Sequence, residues 1–282
     1  MNYRKVSILG VGLIGGAIGI ALKKKKLAGE VWGWGRNKKR LKEAVSKKAC
    51  DKTTKEIEQA VKGSDIVILS TPPEIIIKQI KEIKPYISDD SLIMDVGSVK
   101  TRIVDTARSE ISNNFVGCHP MTGSEKTGVV NASGGMFENA PCIITPNGNP
   151  PKMRLEKAKN FWEDLGCRIV VMDSREHDLM VAFTSHLPHA ISSALACTFS
   201  EKLRNADSVN EIAGPSFRDM TRIAGASAVM WAQIYGENKE NVLYALDSFE
   251  KKLKKFKNHV KHLNKSKMKK FIQKGSSYKN KI

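Results

Sequence analysis

The 282-residue chain is 41% hydrophobic and 27% charged, a balance that supplies buried cores for two domains and argues against a disordered polypeptide. Its five cysteines (Cys50, Cys118, Cys142, Cys167 and Cys197) are scattered without C-x-x-C spacing, which argues against a disulfide framework or zinc ribbon and fits a reducing, cytoplasmic setting. The formal net charge of +18 sits at one end: thirteen lysines and no acid lie in 251–282, leaving 34 basic against 29 acidic residues before them. That end reads as a solvated terminal helix fraying into a disordered tail, since Leu253, Phe256, Val260 and Leu263 keep helical spacing, and nucleic-acid binding is not expected of it.

In chain order, Arg4 and Lys5 precede an apolar run over 6–22, and four lysines follow it. Five glycines within the run, a length short of a span and no A-x-A cleavage pattern argue against a signal anchor. No other stretch is apolar enough to cross a bilayer, so no membrane association is expected. β-Branched runs at 6–9, 31–34, 66–70, 92–96 and 115–117 predict strands, and segments at helical spacing, such as 37–48 and 74–83, lie between them. The alternation predicts an α/β fold, a Rossmann-type doubly wound parallel sheet with helices on both faces. Residues 142–145 and 168–172, with a helix over about 151–165 between them, extend that sheet. After Asp173 the strand signals stop, and helical patterns follow at about 176–203, 217–223 and 237–257. The shift sets a dinucleotide-binding domain over 1–172, an all-helical C-terminal domain over 173–258 and a lysine-rich tail over 259–282.

The first strand runs into Gly10, Gly12 and Gly15, a G-x-G-x-x-G spacing followed by an alanine-rich helix. Gly10 suits the tight turn, Gly12 the close approach of a pyrophosphate and Gly15 the packing of helix on strand, while the helix N-terminus favours the phosphate charge. An NAD enzyme places Asp or Glu at the end of the second strand to hold the ribose 2′-hydroxyl. Here Gly35 takes that position and Arg36, Lys38, Lys39 and Arg40 follow, so NADP is favoured slightly over NAD, with Arg36 as the clamp for a 2′-phosphate.

Chemistry in open α/β sheets collects beyond the carboxyl ends of the strands. STPP at 70–73, DVGSVK at 95–100 and GCHPMTGSEKTG at 117–128 fall there. Ser70, Thr71 and Pro72 join Gly10, Gly12, Leu13, Ile14, Gly15 and Arg36 as candidate cofactor contacts. His119 lies just past a strand, held extended by Pro120, beside a loop bearing Ser124 and Glu125. His186 and His189 are three apart on a predicted helix, but no H-E-x-x-H accompanies them and no metal is expected.

The segments GVGLIGGA, DVGSVK, HPMTGSEKTG, SHLPH (185–189) and FRDMTRIA (217–224), in this order, resemble the prephenate dehydrogenase family over about residues 6–256. The resemblance implies oxidative decarboxylation of prephenate to 4-hydroxyphenylpyruvate in tyrosine biosynthesis. It makes His119 the catalytic group that takes the ring hydroxyl proton and Ser98 the group that orients it. Arg222 holds a substrate carboxylate, Ser124 and Glu125 line and gate the pocket, and Glu125 is expected to pair with a cation such as Arg222. His186 and His189 line the substrate cleft, with His177 and Asp178 near it, and the helical domain forms a homodimer. Thr122 departs from the family's usual alanine, which leaves open the choice between prephenate and arogenate. A β-hydroxyacid dehydrogenase shares the architecture but relies on a lysine, and a non-catalytic NADP sensor or nucleic-acid-binding protein is the alternative outside enzymes.

Overall fold

The computed structural model describes residues 2–123, 126–146, 150–202, 209 and 211–281. Eight strands form one sheet: β1 (Tyr3–Leu9), β2 (Ala28–Trp34), β3 (Lys52–Thr54), β4 (Ile66–Leu69), β5 (Leu92–Asp95), β6 (Phe115–Pro120), β7 (Pro141–Pro146) and β8 (Arg168–Val171). Their spatial order is β3-β2-β1-β4-β5-β6-β7-β8, so the direction of winding reverses between β1 and β4. That switch point opens a crevice at the carboxyl ends of the strands, where dinucleotides bind in folds of this plan.

The central strands are buried on both faces, which is why they read as continuous apolar runs. Alternate residues split between two cores. Val6, Ile8, Ile66, Ile68 and Met94 pack with α1 (Leu13–Lys24) on one face, together with Phe161 and Trp162 from α6 (Lys152–Leu165). Leu9, Val67, Leu69 and Ile93 pack on the other with Ile76, Ile80, Val104 and Ala107. Those last four come from α4 (Pro73–Ile83) and α5 (Thr101–Ile111). The remaining N-terminal helices are α2 (Lys38–Ser46), capped by the Asn37 side chain, and α3 (Ile57–Val61).

Two features of the sheet depart from the expected strand pattern. β7 runs antiparallel to β6, with His119 opposite Ile143 and Pro120 opposite Cys142. Among the described residues between 121 and 140 there are two single turns of 3-10 helix, Val129–Asn131 and Gly134–Phe137. Both lie against α1, so the chain re-enters the sheet at the end where β6 left it and must run back. This pairing also carries β6 through His119, placing the histidine within the strand's end rather than beyond it. The other departure is β3, a polar three-residue edge strand that lacks any apolar alternation.

Beyond β8, α7 (Ser174–Val181) begins behind the Asp173 cap and passes through a π-helical turn, Ala182–His186, into α8 (Leu187–Lys202). A single helix over 176–203 is expected from the spacing, but Pro188 has no N–H for the preceding turn and its ring collides with the carbonyl four residues back. The wider turn accommodates it, and one extra residue rotates the following face by about 100°. Next come α9 (Pro215–Thr221), a 3-10 turn at Arg222–Gly225 and α10 (Ala228–Glu237).

Contacts divide the chain into a unit over 1–238 and a second over 239–282. The second is a helical hairpin of α11 (Lys239–Lys261) and α12 (Lys265–Lys279). The disordered tail expected from 259 is corrected here: Asn264 caps α12, accepting from Lys267 N, and Phe271 packs on Phe256 with ring centroids 5.2 Å apart. Among the described residues no helix is long and apolar enough to cross a membrane.

Candidate active site

The dinucleotide crevice is shaped by two glycines and left open at a third. Gly10 has φ +106°, and a Cβ there would lie 2.5 Å from the Ser70 carbonyl oxygen. A Cβ on Gly15 would lie 2.3 Å from the Gly10 carbonyl oxygen, which locks α1 onto the end of β1. Gly12 faces open space, with nothing within 4 Å of an added Cβ, and α1 starts there with no side-chain cap and no acid in its first turn. An uncapped helix start beside a cleared space fits a pyrophosphate. Ser70 N–H donates to Leu9 O (2.8 Å) and Thr71 Oγ1 to Gln79 Oε1 (2.6 Å), so the turn after β4 is braced against the glycine loop. Arg36 is exposed just beyond β2, directly ahead of α2.

At the neighbouring strand ends a polar cluster is built into the protein. His119 is 9% exposed, and its Nδ1 lies 2.8 Å from His177 Nε2. His177 Nδ1 lies 2.8 Å from Asp178 Oδ1, and both residues are buried. The Asp178 carboxylate accepts N–H bonds from Lys100 (2.7 Å) and Thr101 (2.8 Å), closing the N-terminus of α5. Asn238 Nδ2 donates to the Asp178 carbonyl (2.7 Å) and lies 3.2 Å from His186 Nδ1. His186 Nε2 is buried and has no hydrogen-bond partner among the described residues.

Beneath the cluster, Lys100 and Asp95 form a fully buried ion pair, and Lys100 Nζ also donates to Cys118 O (2.9 Å). Asp95 accepts from the N–H groups of Gly97 (2.8 Å) and Cys118 (3.2 Å). The DVGSVK loop is thereby tied to the strand that carries His119. A buried charge of this kind is tolerable because both carboxylate oxygens accept hydrogen bonds and two of the three ammonium protons are donated.

Burial keeps the histidines neutral. It drives His119 well below the usual imidazole range, reinforced by His177, Lys100 and His186. His186 is pushed down to about 4, chiefly by burial against some relief from Asp178. His177 is lowered by burial even though its bond to Asp178 opposes the shift. Burial alone would raise the Asp178 carboxyl, but the bonds from His177 and Thr101 hold it below its ordinary value.

The structure brings His119 and His186 together, with His189 alongside through Trp231. Trp231 stacks on His189 with ring centroids 3.7 Å apart and meets His186 edge-on at 5.9 Å. Arg222 is exposed on the 3-10 turn beside His189, whose protonation it disfavours after burial has done so. Ser98 is half-buried, and no hydrogen bond joins it to His119 among the described residues; the orienting contact comes from His177 instead. Ser124 and Glu125 lie outside the described residues. The Thr122 hydroxyl is consumed by a bond to Met136 O (2.8 Å). No metal-holding cluster occurs among the described residues. Asp95, Lys100, Asn238 and Trp231 are the members that sequence reasoning missed; only the strict DVGSVK spacing hinted at the first two.

A Rossmann-type sheet with an open glycine crevice beside a buried neutral histidine defines an NAD(P)-dependent oxidoreductase. Comparison with known proteins narrows this. The family described as prephenate dehydrogenase, nucleotide-binding domain, matches residues 18–171, and prephenate dehydrogenase, dimerization domain, matches 173–274. A prephenate dehydrogenase of Bacillus subtilis is 34% identical over 265 residues, covering 92% of this chain and 71% of that protein. The crystal structure of Aquifex aeolicus prephenate dehydrogenase in complex with hydroxyphenyl propionate and NAD+ superposes with a TM-score of 0.92 at 30% identity, over 100% of this chain and 99% of that one. Synechocystis arogenate dehydrogenase gives 0.82 at 25% identity, over 99% of each. The chain belongs to the prephenate dehydrogenase family.

Proposed function

We propose that the chain oxidatively decarboxylates prephenate to 4-hydroxyphenylpyruvate, with His119 as the base. The observation that carries this reading is the imidazole itself: buried at the end of β6, held neutral and fixed through Nδ1. A neutral imidazole accepts the proton of the ring hydroxyl as the ring carbon gives up hydride, and the ring carboxylate leaves as CO2 with aromatisation as the driving force. The dinucleotide, held by the crevice of Gly10, Gly12 and Gly15, supplies the hydride acceptor. Arg222 is the proposed clamp for a substrate carboxylate, with His186 and His189 beside it and Ser124 and Glu125 from the loop. His119 accepts one proton per turnover.

Arg36, with no acid at the end of β2, supports a preference for NADP over NAD. The match of 173–274 to a dimerization domain supports a homodimer through the helical region. The test of function is a reduced-nicotinamide absorbance assay with prephenate and arogenate, each with NAD and NADP. Turnover of prephenate is the expected result, turnover of arogenate alone moves the assignment to the amino-acid substrate, and inertness toward both refutes it. A kcat/KM ratio favouring NAD by more than about tenfold, or 1.4 kcal/mol, refutes the Arg36 argument.

A further inference from the structure

A ring-nitrogen to ring-nitrogen contact needs one N–H and one lone pair. Between His119 Nδ1 and His177 Nε2 the polarity is set from outside the pair. Asp178 sits at the start of α5 as an ionised acceptor, already receiving two backbone N–H groups, so the His177 nitrogen facing it carries the proton. His177 Nε2 is therefore a lone pair, His119 donates to it from Nδ1, and His119 Nε2 is left as a lone pair. Among the described residues no protein group hydrogen-bonds that nitrogen.

On the other side of Asp178 the polarity is opposite. The Asn238 amide nitrogen has two hydrogens. One goes to the Asp178 carbonyl and the other faces His186 Nδ1. His186 Nδ1 is then the acceptor, and its proton sits on Nε2, buried with no acceptor among the described residues. A buried donor without a partner is costly unless a ligand oxygen completes it.

We propose that Asp178 is a positioning residue that, through His177 and Asn238, fixes His119 and His186 in opposite tautomers. His119 Nε2 is the proton acceptor, and His186 Nε2–H is a donor to a substrate oxygen. The inference rests on the proposed function only for the identity of the substrate. It explains why a carboxylate is kept where burial alone would neutralise it.

The decisive measurement is the 15N spectrum of histidine-labelled wild-type protein, assigned by single His→Gln variants. His119 is expected pyridine-type at Nε2 and pyrrole-type at Nδ1, and His186 the reverse. A pyrrole-type Nε2 on His119, or a pyridine-type Nε2 on His186, overturns the proposal, and neither result depends on which diene is turned over. In Asp178→Asn an amide must replace one carboxylate oxygen, and reversal of the chain protonates His119 Nε2. Its kcat is expected to fall roughly 10²-fold or more, as when a histidine base is locked in its wrong tautomer, with KM for the dinucleotide unchanged. His177→Gln keeps an oxygen that accepts from His119 Nδ1 and is expected to retain at least about tenfold more kcat than His177→Leu. Asn238→Ala is expected to raise KM for the diene more than it lowers kcat. Equal losses in the Gln and Leu variants, or wild-type kcat in an Asp178→Asn protein whose His119 Nε2 is pyrrole-type, would overturn the relay.

Discussion

Acidification offers a quantitative test of the buried cluster. His186 titrates near 6.5 when unfolded and at about 4 in the folded protein. The folded value is the lower, so the unfolded chain takes up the proton first, and stability present above about pH 6.5 is lost as pH falls toward 4. At about pH 5 nearly all unfolded chains carry this proton against about a tenth of folded ones, which removes about 2 kcal/mol; the full loss below pH 4 is about 3 kcal/mol. His119 and His177 are displaced in the same direction and add to the slope. Urea denaturation followed by circular dichroism at about pH 7.5 and pH 5 measures the sum. The same pair of titrations on His186→Gln reports the share of His186 together with the part of the His119 shift that His186 imposes, because groups outside the cluster cancel in the difference. The variant should lose about 2 kcal/mol less than wild type between the two pH values. Equal losses, within about 0.5 kcal/mol, would refute the claim that His186 is buried neutral.

Other outcomes follow from single contacts. His119→Asn should lower kcat by roughly 10²–10⁴ while dinucleotide binding, followed by fluorescence quenching, is retained; near-normal turnover removes His119 from the chemistry. Lys100→Met leaves Asp95 charged and unpaired in a fully buried site, and should cost about 3–5 kcal/mol in denaturant titration. A loss below about 1 kcal/mol would mean that the pair contributes nothing to the folded state. Gly10→Ala and Gly12→Ala should separate two kinds of glycine. The first meets the Ser70 carbonyl at 2.5 Å from a positive φ, and should lower both Tm and dinucleotide affinity. The second fills only open space, and should weaken dinucleotide binding with Tm nearly unchanged. A Gly12→Ala protein that binds as tightly as wild type would place the pyrophosphate elsewhere.

Arg36→Gln is expected to lower kcat/KM for NADP more than for NAD, measured in parallel assays. An unchanged ratio would leave the basic stretch after β2 without a part in cofactor choice.

Much of this protein is written in local pattern. Apolar runs between helix-period segments specify buried parallel strands, because a strand covered on both faces needs no polar alternation. The glycine spacing specifies the crevice, because only glycine tolerates the φ and the clearances at Gly10 and Gly15. His119 was legible because it follows a strand and precedes a proline inside a loop rich in polar residues. The reversal of β7 was not legible, since the direction of a strand depends on where its connection returns and not on its own residues. Nor was the second helix of the terminal hairpin, whose lysines mask an apolar face that matters only once Phe271 meets Phe256.

The active-site cluster divides along the same line. Sequence alone placed a histidine at a strand end beside a dinucleotide crevice. Only the tertiary structure decided which group faces each nitrogen of that histidine. Asp178, His177, Asn238 and His186 lie 52 to 78 residues from their partners in Lys100, His119 and the turn before α8. A proton's position on an imidazole is set by the donor or acceptor that faces it, and such neighbours exist only after the chain has closed on itself.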